Sequence, residues 1–247
     1  MKRIFLYIFL LVALMACLNA CNKSATIQTD QLADYMQLQV GKYITYRLDS
    51  LVWINFGTQD TIFSYLARDV IDDSITDNLG RPSWRVVRYI SDTSGIAPWT
   101  PIETYMITPT PQATEVVENN LRFIKLVLPV VTGYNWMGNS YIDTRSAFSD
   151  LTWMDGWNYV YDSVGMPYNL PTQVVPNSII IRQDNDSSGA VADSVFSTRT
   201  FSEEVYGKGI GLIYKNLLHW EYQPPNINVP VGSTTGFGIT LTMVDHN

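Results

Sequence analysis

Apolar side chains in this chain return at every second position more often than at helical spacing, and nothing else in the sequence narrows the fold as much. The stretch KYITYRLDSLVWINF (42–56) sets Ile44, Tyr46 and Leu48 on one face and Tyr43, Thr45, Arg47 and Asp49 on the other, then continues through Val52, Ile54 and Phe56. Such a period belongs to a half-buried strand. GTQD (57–60) reads as a turn, and TIFSYLARDVIDDSI (61–75) as the returning arm of a hairpin. The same style recurs over 83–91, 103–108, 121–128, 157–164, 178–183, 191–201, 211–223 and 236–245, separated by Gly, Pro, Asn and Asp. About ten strands result.

Helical signals are sparse. Residues 29–38 have room for one or two turns with Asp30 as N-cap, and 129–155 reads as an ordered loop crossing one end of the sheet, with a helical turn at 145–151. No repeat and no linker divides the body, so residues 31–247 are expected to form one β domain. Ten strands with one apolar face, in a chain with 13% aromatic residues, predict an all-β fold. Its expected form is a strongly curved antiparallel sheet, either a half-barrel or a closed barrel, because exposed edges invite pairing between molecules.

The amino terminus carries a different message. Lys2 and Arg3 precede an apolar run from Ile4 to Leu14 that is too short to span a bilayer, which predicts an export signal over residues 1–20. In LMACLNACNKS (14–24), small residues precede both cysteines of the chain, as in the bacterial lipobox. Cys21 is the expected lipidation site because the chain turns polar immediately after it, with Cys17 as the fallback; residues 21–30 then form a tether. Acylation of Cys21 leaves no thiol for a disulfide, a nucleophile or a metal. Removing Lys2 and Arg3 takes the 16 basic residues to 14 against 23 acidic ones, a net charge of −9. This balance repels phosphate backbones and anionic headgroups, so nucleic acid is not an expected partner and membrane attachment falls to the lipid.

Three segments carry a resemblance: YMQLQVGKYITYRLDS (35–50), KLVLPVVTGYNWMGNSY (125–141) and EEVYGKGIGLIYKNLLHWEYQ (203–223). They resemble segments that recur in this order in uncharacterised outer-membrane lipoproteins of the Bacteroidota. The third is also similar to one seen in periplasmic half-barrels, including the lipoprotein-carrier fold. Gln37 stands where the opening motif often has proline. The resemblance implies location and fold, namely a lipid-anchored outer-membrane protein facing the periplasm, and it implies no catalytic residue.

Candidate chemistry is thin. His219 lies inside a strand between Leu218 and Trp220, and His246 sits beside the C-terminus, with no spacing that builds a triad or a zinc site. DNDSSG (184–189) places Asp184, Asp186 and Ser188 as in the first half of a calcium loop, but Val195 stands at the closing position, and we read the stretch as a hairpin turn. GKGIG (207–211) lacks the helix and the Lys-Ser/Thr pair of a phosphate loop and reads as a bulge or barrel corner. Trp153, Trp157, Tyr159 and Tyr161, with Trp136, either bury alternate rings or stack on a sugar. Adjacent carboxylates, Asp72 with Asp73 and Glu203 with Glu204, are expected on opposite, solvated faces. The sequence therefore predicts a monomeric, non-enzymatic binding or interaction module without cofactor or metal, its ligand hydrophobic or a glycan. The alternatives are a surface glycan binder and a lipid or lipoprotein carrier with an apolar cavity.

Overall fold

A strand with alternating faces needs hydrogen-bonding neighbours on both sides, and short turns make each neighbour the next strand in sequence. The computed structural model describes residues 30–189, 195–227 and 230–247, and in it this logic yields twelve strands. They are β1 (Tyr43–Ile54), β2 (Gln59–Thr76), β3 (Pro82–Ser91), β4 (Thr100–Pro109), β5 (Ala113–Glu118) and β6 (Leu121–Val127), then β7 (Asn135–Trp136), β8 (Tyr159–Asn169), β9 (Val174–Ser188), β10 (Ser197–Gly207), β11 (Gly211–Gln223) and β12 (Ser233–His246). Cys17, Cys21, the expected signal and the tether up to residue 29 lie outside the described residues.

All twelve strands form one antiparallel sheet in the order β6-β5-β4-β3-β2-β1-β12-β11-β10-β9-β8-β7. Two meanders, β1 to β6 and β7 to β12, are joined where the first and last strands pair, from Ile44 opposite His246 to Val52 opposite Phe237. The two edges, β6 and β7, are neighbours in sequence and curl towards each other. Ile124 donates its N–H to the Gly138 carbonyl at 2.8 Å, and Trp136 Nε1 donates to the Ile124 carbonyl at 2.8 Å. Tyr161 bridges the same seam, its hydroxyl donating to the Val127 carbonyl at 2.7 Å and accepting from the Val127 N–H at 3.0 Å. The sheet is thus nearly closed into a barrel, with polar groups along the exposed edge occupied by the opposite one.

Two strands were not legible as such. β5 is short and ends at Asn119 and Asn120, both at positive φ, which make the tight turn into β6; β7 is two residues long. DNDSSG is not a turn: Asp184 to Ser188 continue β9 and pair with Ser202 to Thr198 of β10. GKGIG is the tight β10–β11 connection, with a register shift at Val205/Tyr206 just before it. The turn placed at 57–60 falls earlier, over 55–58, where Gly57 at φ 81° lies against the start of β12 and its carbonyl accepts from the Thr234 N–H at 2.8 Å. A Cβ at that position would meet the Thr234 carbonyl oxygen at 2.4 Å, so glycine is required twice over.

Each end of the barrel has a cover. At the end where β1 begins, a 3-10 turn, Leu32–Tyr35, buries Leu32, Tyr35 and then Met36. Its N-cap is Gln31 rather than Asp30. Gln37, at φ 39°, follows it, a conformation closed to proline. At the opposite end residues 137–158 cross the opening, and their helical turn is Thr152–Met154 rather than 145–151.

Candidate functional site

Inward-facing positions of a small barrel are filled by side chains, and here a row of them is charged. On β2, Asp69 sits two residues from the buried Ala67 and Ile71; on β3, Arg88 follows Val86; β5 contributes Glu118, β6 Lys125, β10 Glu204 and β11 Lys215. Arg88, 8% exposed, grips Asp69 with both arms, Nε to Oδ1 at 2.7 Å and Nη2 to Oδ2 at 2.8 Å. Its Nη1 lies 3.2 Å from Glu103 and 3.6 Å from Glu118. Lys215 stands 3.6 Å from Glu118 and 4.0 Å from Glu204, and Lys125 closes the row on Glu204 at 2.6 Å. β5 and β11 are six places apart in the sheet order, so the Glu118–Lys215 pair spans the lumen rather than a strand gap. The result is a belt of alternating charge through the middle of the barrel.

Burial alone would discharge these groups, and their partners prevent it. Lys215 holds Glu118 down to about 2 against the opposing effect of desolvation. Desolvation would raise Glu204 and depress Lys215, but Lys125 and Lys215 keep the first below the usual carboxylate range, and Glu118 and Glu204 keep the second above the usual lysine range. Glu103 goes the other way, pushed up by burial and then by Glu118. Burial also lifts the hydroxyls of Tyr46, Tyr105 and Tyr206 well above their ordinary value. Tyr105 donates to Asp69 at 2.9 Å and Tyr206 to Glu204 at 2.8 Å, so the tyrosines brace the carboxylates of the belt.

The belt separates two cavities. The first, about 90 Å³, reaches the surface beside Lys42, Tyr43 and Asn247; Ile44, Ile71, Val86, Ile107 and Val116 make its apolar wall, and the belt with Tyr46, Tyr105 and Tyr206 its floor. The second, about 200 Å³, lies under the crossing segment and is lined by Phe123, Trp153, Trp157, Tyr159, Leu217 and Phe237, together with Gln183, Ser202 and the belt residues Glu118, Lys125 and Lys215. No family model fits the chain, and no curated protein matches its sequence.

The aromatic residues singled out in the sequence do not form an exposed stacking platform, since Trp157, Tyr159 and Tyr161 are buried. Trp136, 4.7 Å from Tyr161 between ring centres, belongs to the seam. Trp153 and Trp157 form the plug: Trp153 lies flat on His219 at 4.5 Å and edge-on to Trp157 at 5.4 Å, and the Trp157 indole donates to the Trp153 carbonyl at 3.2 Å. His219 faces the lumen, shares a 3.0 Å hydrogen bond with Thr200 through Nδ1, and is depressed by burial. Asp184, Asp186 and Ser188 belong to a strand, and among the described residues no group of three or more His, Cys, Asp or Glu is placed to hold a metal ion.

Two carboxylate pairs depart from expectation. A register shift between Ile71 and Asp73 breaks the alternation, so both Asp72 and Asp73 reach Arg85, the first in direct contact and the second at 3.7 Å. Glu204, read as solvated, is 1% exposed and anchors the belt. The belt itself went unrecognised, although a signal existed: Asp69, Arg88, Lys125, Glu204 and Lys215 each fall two residues from an apolar inward neighbour.

Proposed function

We propose that this chain is a lipid-anchored, non-enzymatic protein of the outer membrane, facing the periplasm, that binds a compact amphipathic ligand end-on through the mouth beside Tyr43. The observation that carries this reading is the makeup of the first cavity, an apolar wall over a floor of tyrosine hydroxyls and paired charges. That arrangement suits a ligand with a short hydrocarbon body and one polar head. At about 90 Å³ the cavity is smaller than the roughly 150 Å³ that holds benzene, which favours a short-chain ligand over the acyl chains of a lipid carrier. The non-enzymatic reading is supported by the belt. General acid–base catalysis works best with a group that titrates near neutrality, whereas Glu118 and Glu204 are held ionised and Lys215 protonated.

The anchor rests on the lipobox before Cys21, and the envelope location on the three segments that resemble outer-membrane lipoproteins. The buried rings of Trp157, Tyr159 and Tyr161 speak against a surface glycan binder. Two measurements test the reading. Mass spectrometry of the membrane-extracted protein should find acyl groups on Cys21, and an unmodified peptide beginning after Ala20 would remove the anchor. Methyl NMR of the full chain titrated with isovalerate and isobutylammonium should move the signals of Ile44, Ile71 and Ile107; shifts confined to other regions would remove the mouth as a site.

A further inference from the structure

The second cavity holds an unmet polar group. Gln183, on β9, is 2% exposed; its Oε1 accepts from the Ser202 hydroxyl at 2.6 Å, while its Nε2 has no hydrogen-bond partner among the described residues. Leaving such a donor buried and unpaired costs about 1–3 kcal/mol, so native interiors normally supply a partner. The cavity that Gln183 and Ser202 line is about 200 Å³, larger than the roughly 150 Å³ that accommodates benzene, and most of its wall is aromatic or aliphatic.

We propose that this cavity is a binding site for a small neutral aromatic alcohol, a phenol or benzyl alcohol in size and chemistry, whose ring packs among Phe123, Trp153, Trp157 and Phe237 and whose hydroxyl meets the Gln183 amide. Three features of the site select this class. The rings of Trp153, Trp157 and Phe237 already meet at T-shaped angles, the geometry in which a further flat ring finds both edges and faces to pack on. Among the described residues that line this cavity, one buried amide atom is unmatched, which fits one hydroxyl; a sugar would set several more hydroxyls against hydrocarbon. A hydroxyl both donates and accepts, so it satisfies Gln183 in either orientation of its amide. The charges that border the cavity, Glu118, Lys125 and Lys215, are already opposed, the lysines by Glu118 and by Glu204 on the far side of the belt, which leaves no surplus charge to attract an ionised ligand.

This site lies on the other side of the belt from the mouth and stands independently of the reading given for it. The test is ¹⁹F NMR on the purified full chain with three probes: 4-fluorophenol, fluorobenzene, which lacks the hydroxyl, and 2-deoxy-2-fluoroglucose. The expected result is saturable binding of 4-fluorophenol, at least tenfold tighter than fluorobenzene, with no binding of the sugar, and quenching of tryptophan fluorescence over the same concentrations. Gln183→Leu should bring the two aromatic probes to equal affinity, and Gln183→Met serves the same purpose if the leucine variant does not fold. Leu217→Phe, which fills the cavity, should abolish binding of both. Equal affinity for phenol and fluorobenzene in the unaltered protein, preferential binding of the sugar, or no binding of any probe would each overturn the proposal, the last leaving a cavity occupied by water alone.

Discussion

The two ends of the barrel are covered by different means. At the mouth, Leu32, Tyr35 and Met36 dip into the core, but the rim is held by polar contacts: Gly209 donates its N–H to the Asp34 carbonyl at 2.7 Å, and Lys208 reaches Asp30 at 2.5 Å. Burial would raise the Asp30 carboxyl, yet Lys208 and Tyr35 outweigh it and hold it low. At the far end the cover is a cluster of rings, with Trp153 stacked on His219 and edge-on to both Phe237 and Trp157. A rim of polar contacts exchanges readily with water, whereas an interlocked aromatic plug opens only by giving up packing that water cannot replace. Access to the two cavities, which share Glu118, Lys125 and Lys215 as a common wall, should differ accordingly.

The comparison breaks first, and by the largest margin, at the plug. Trp157→Ala should cost about 3–5 kcal/mol in denaturant unfolding, the range for deleting a buried indole. Leu32→Ala at the mouth should cost about 2–3 kcal/mol, towards the lower end for a buried leucine. Equal losses would show that the two covers are energetically alike. Removing Glu204 tests the partition itself: Glu204→Ala strands Lys125 in the lumen and should cost about 3–5 kcal/mol, while the double change Lys125→Met with Glu204→Leu should recover most of that loss. A single variant as stable as the parent protein would mean that the belt carries no penalty when opened.

Smaller effects sharpen the picture. The Glu118 carboxyl is held at about 2 in the folded barrel against an ordinary 4.5, so the folded state binds its proton less readily than the unfolded chain does. The stability it contributes is complete above pH 4.5 and drains away as the pH falls towards 2. Urea midpoints across that interval should fall less steeply for Glu118→Gln than for the parent, and identical slopes would place the acid sensitivity elsewhere. Least of all should depend on the outer surface. Arg85→Ala, which removes the contacts to Asp72 and Asp73, should change stability by no more than about 0.5 kcal/mol in the same assay, as exposed pairs do.

The fold was more legible than the site, for a physical reason. β2 and β3 bury alternate residues, Ala67, Asp69 and Ile71 on the first and Val86 and Arg88 on the second, and with the alternating apolar residues of β1 and β11 they stand out in the chain itself. β5 did not, although Asn119-Asn120 is the kind of pair that a two-residue hairpin turn requires. β7 makes two ladder residues and is defined by its pairing across the seam, which no local pattern encodes. The belt was hidden by the rule that exposes strands in the first place. Charge is ordinarily taken to mark the outer face, but this lumen holds charge of both signs, and Glu203 and Glu204 look alike until the register shift at Ser202/Glu203 and the reach of Lys125 across the barrel are known. Partners such as Lys125 and Glu204, 79 positions apart, are matched only by closure.

The pairing of β1 with β12 also sets the order in which this molecule can assemble. Every other ladder joins strands adjacent in sequence, and such hairpins close within microseconds of both arms becoming available. β1 has no such neighbour on its other side, where its partner is β12, about 190 positions away in sequence (246 minus 44 to 237 minus 52). Two half-shells can each be built from local hairpins, with one bare flank apiece, and the single β1–β12 ladder converts them into one body.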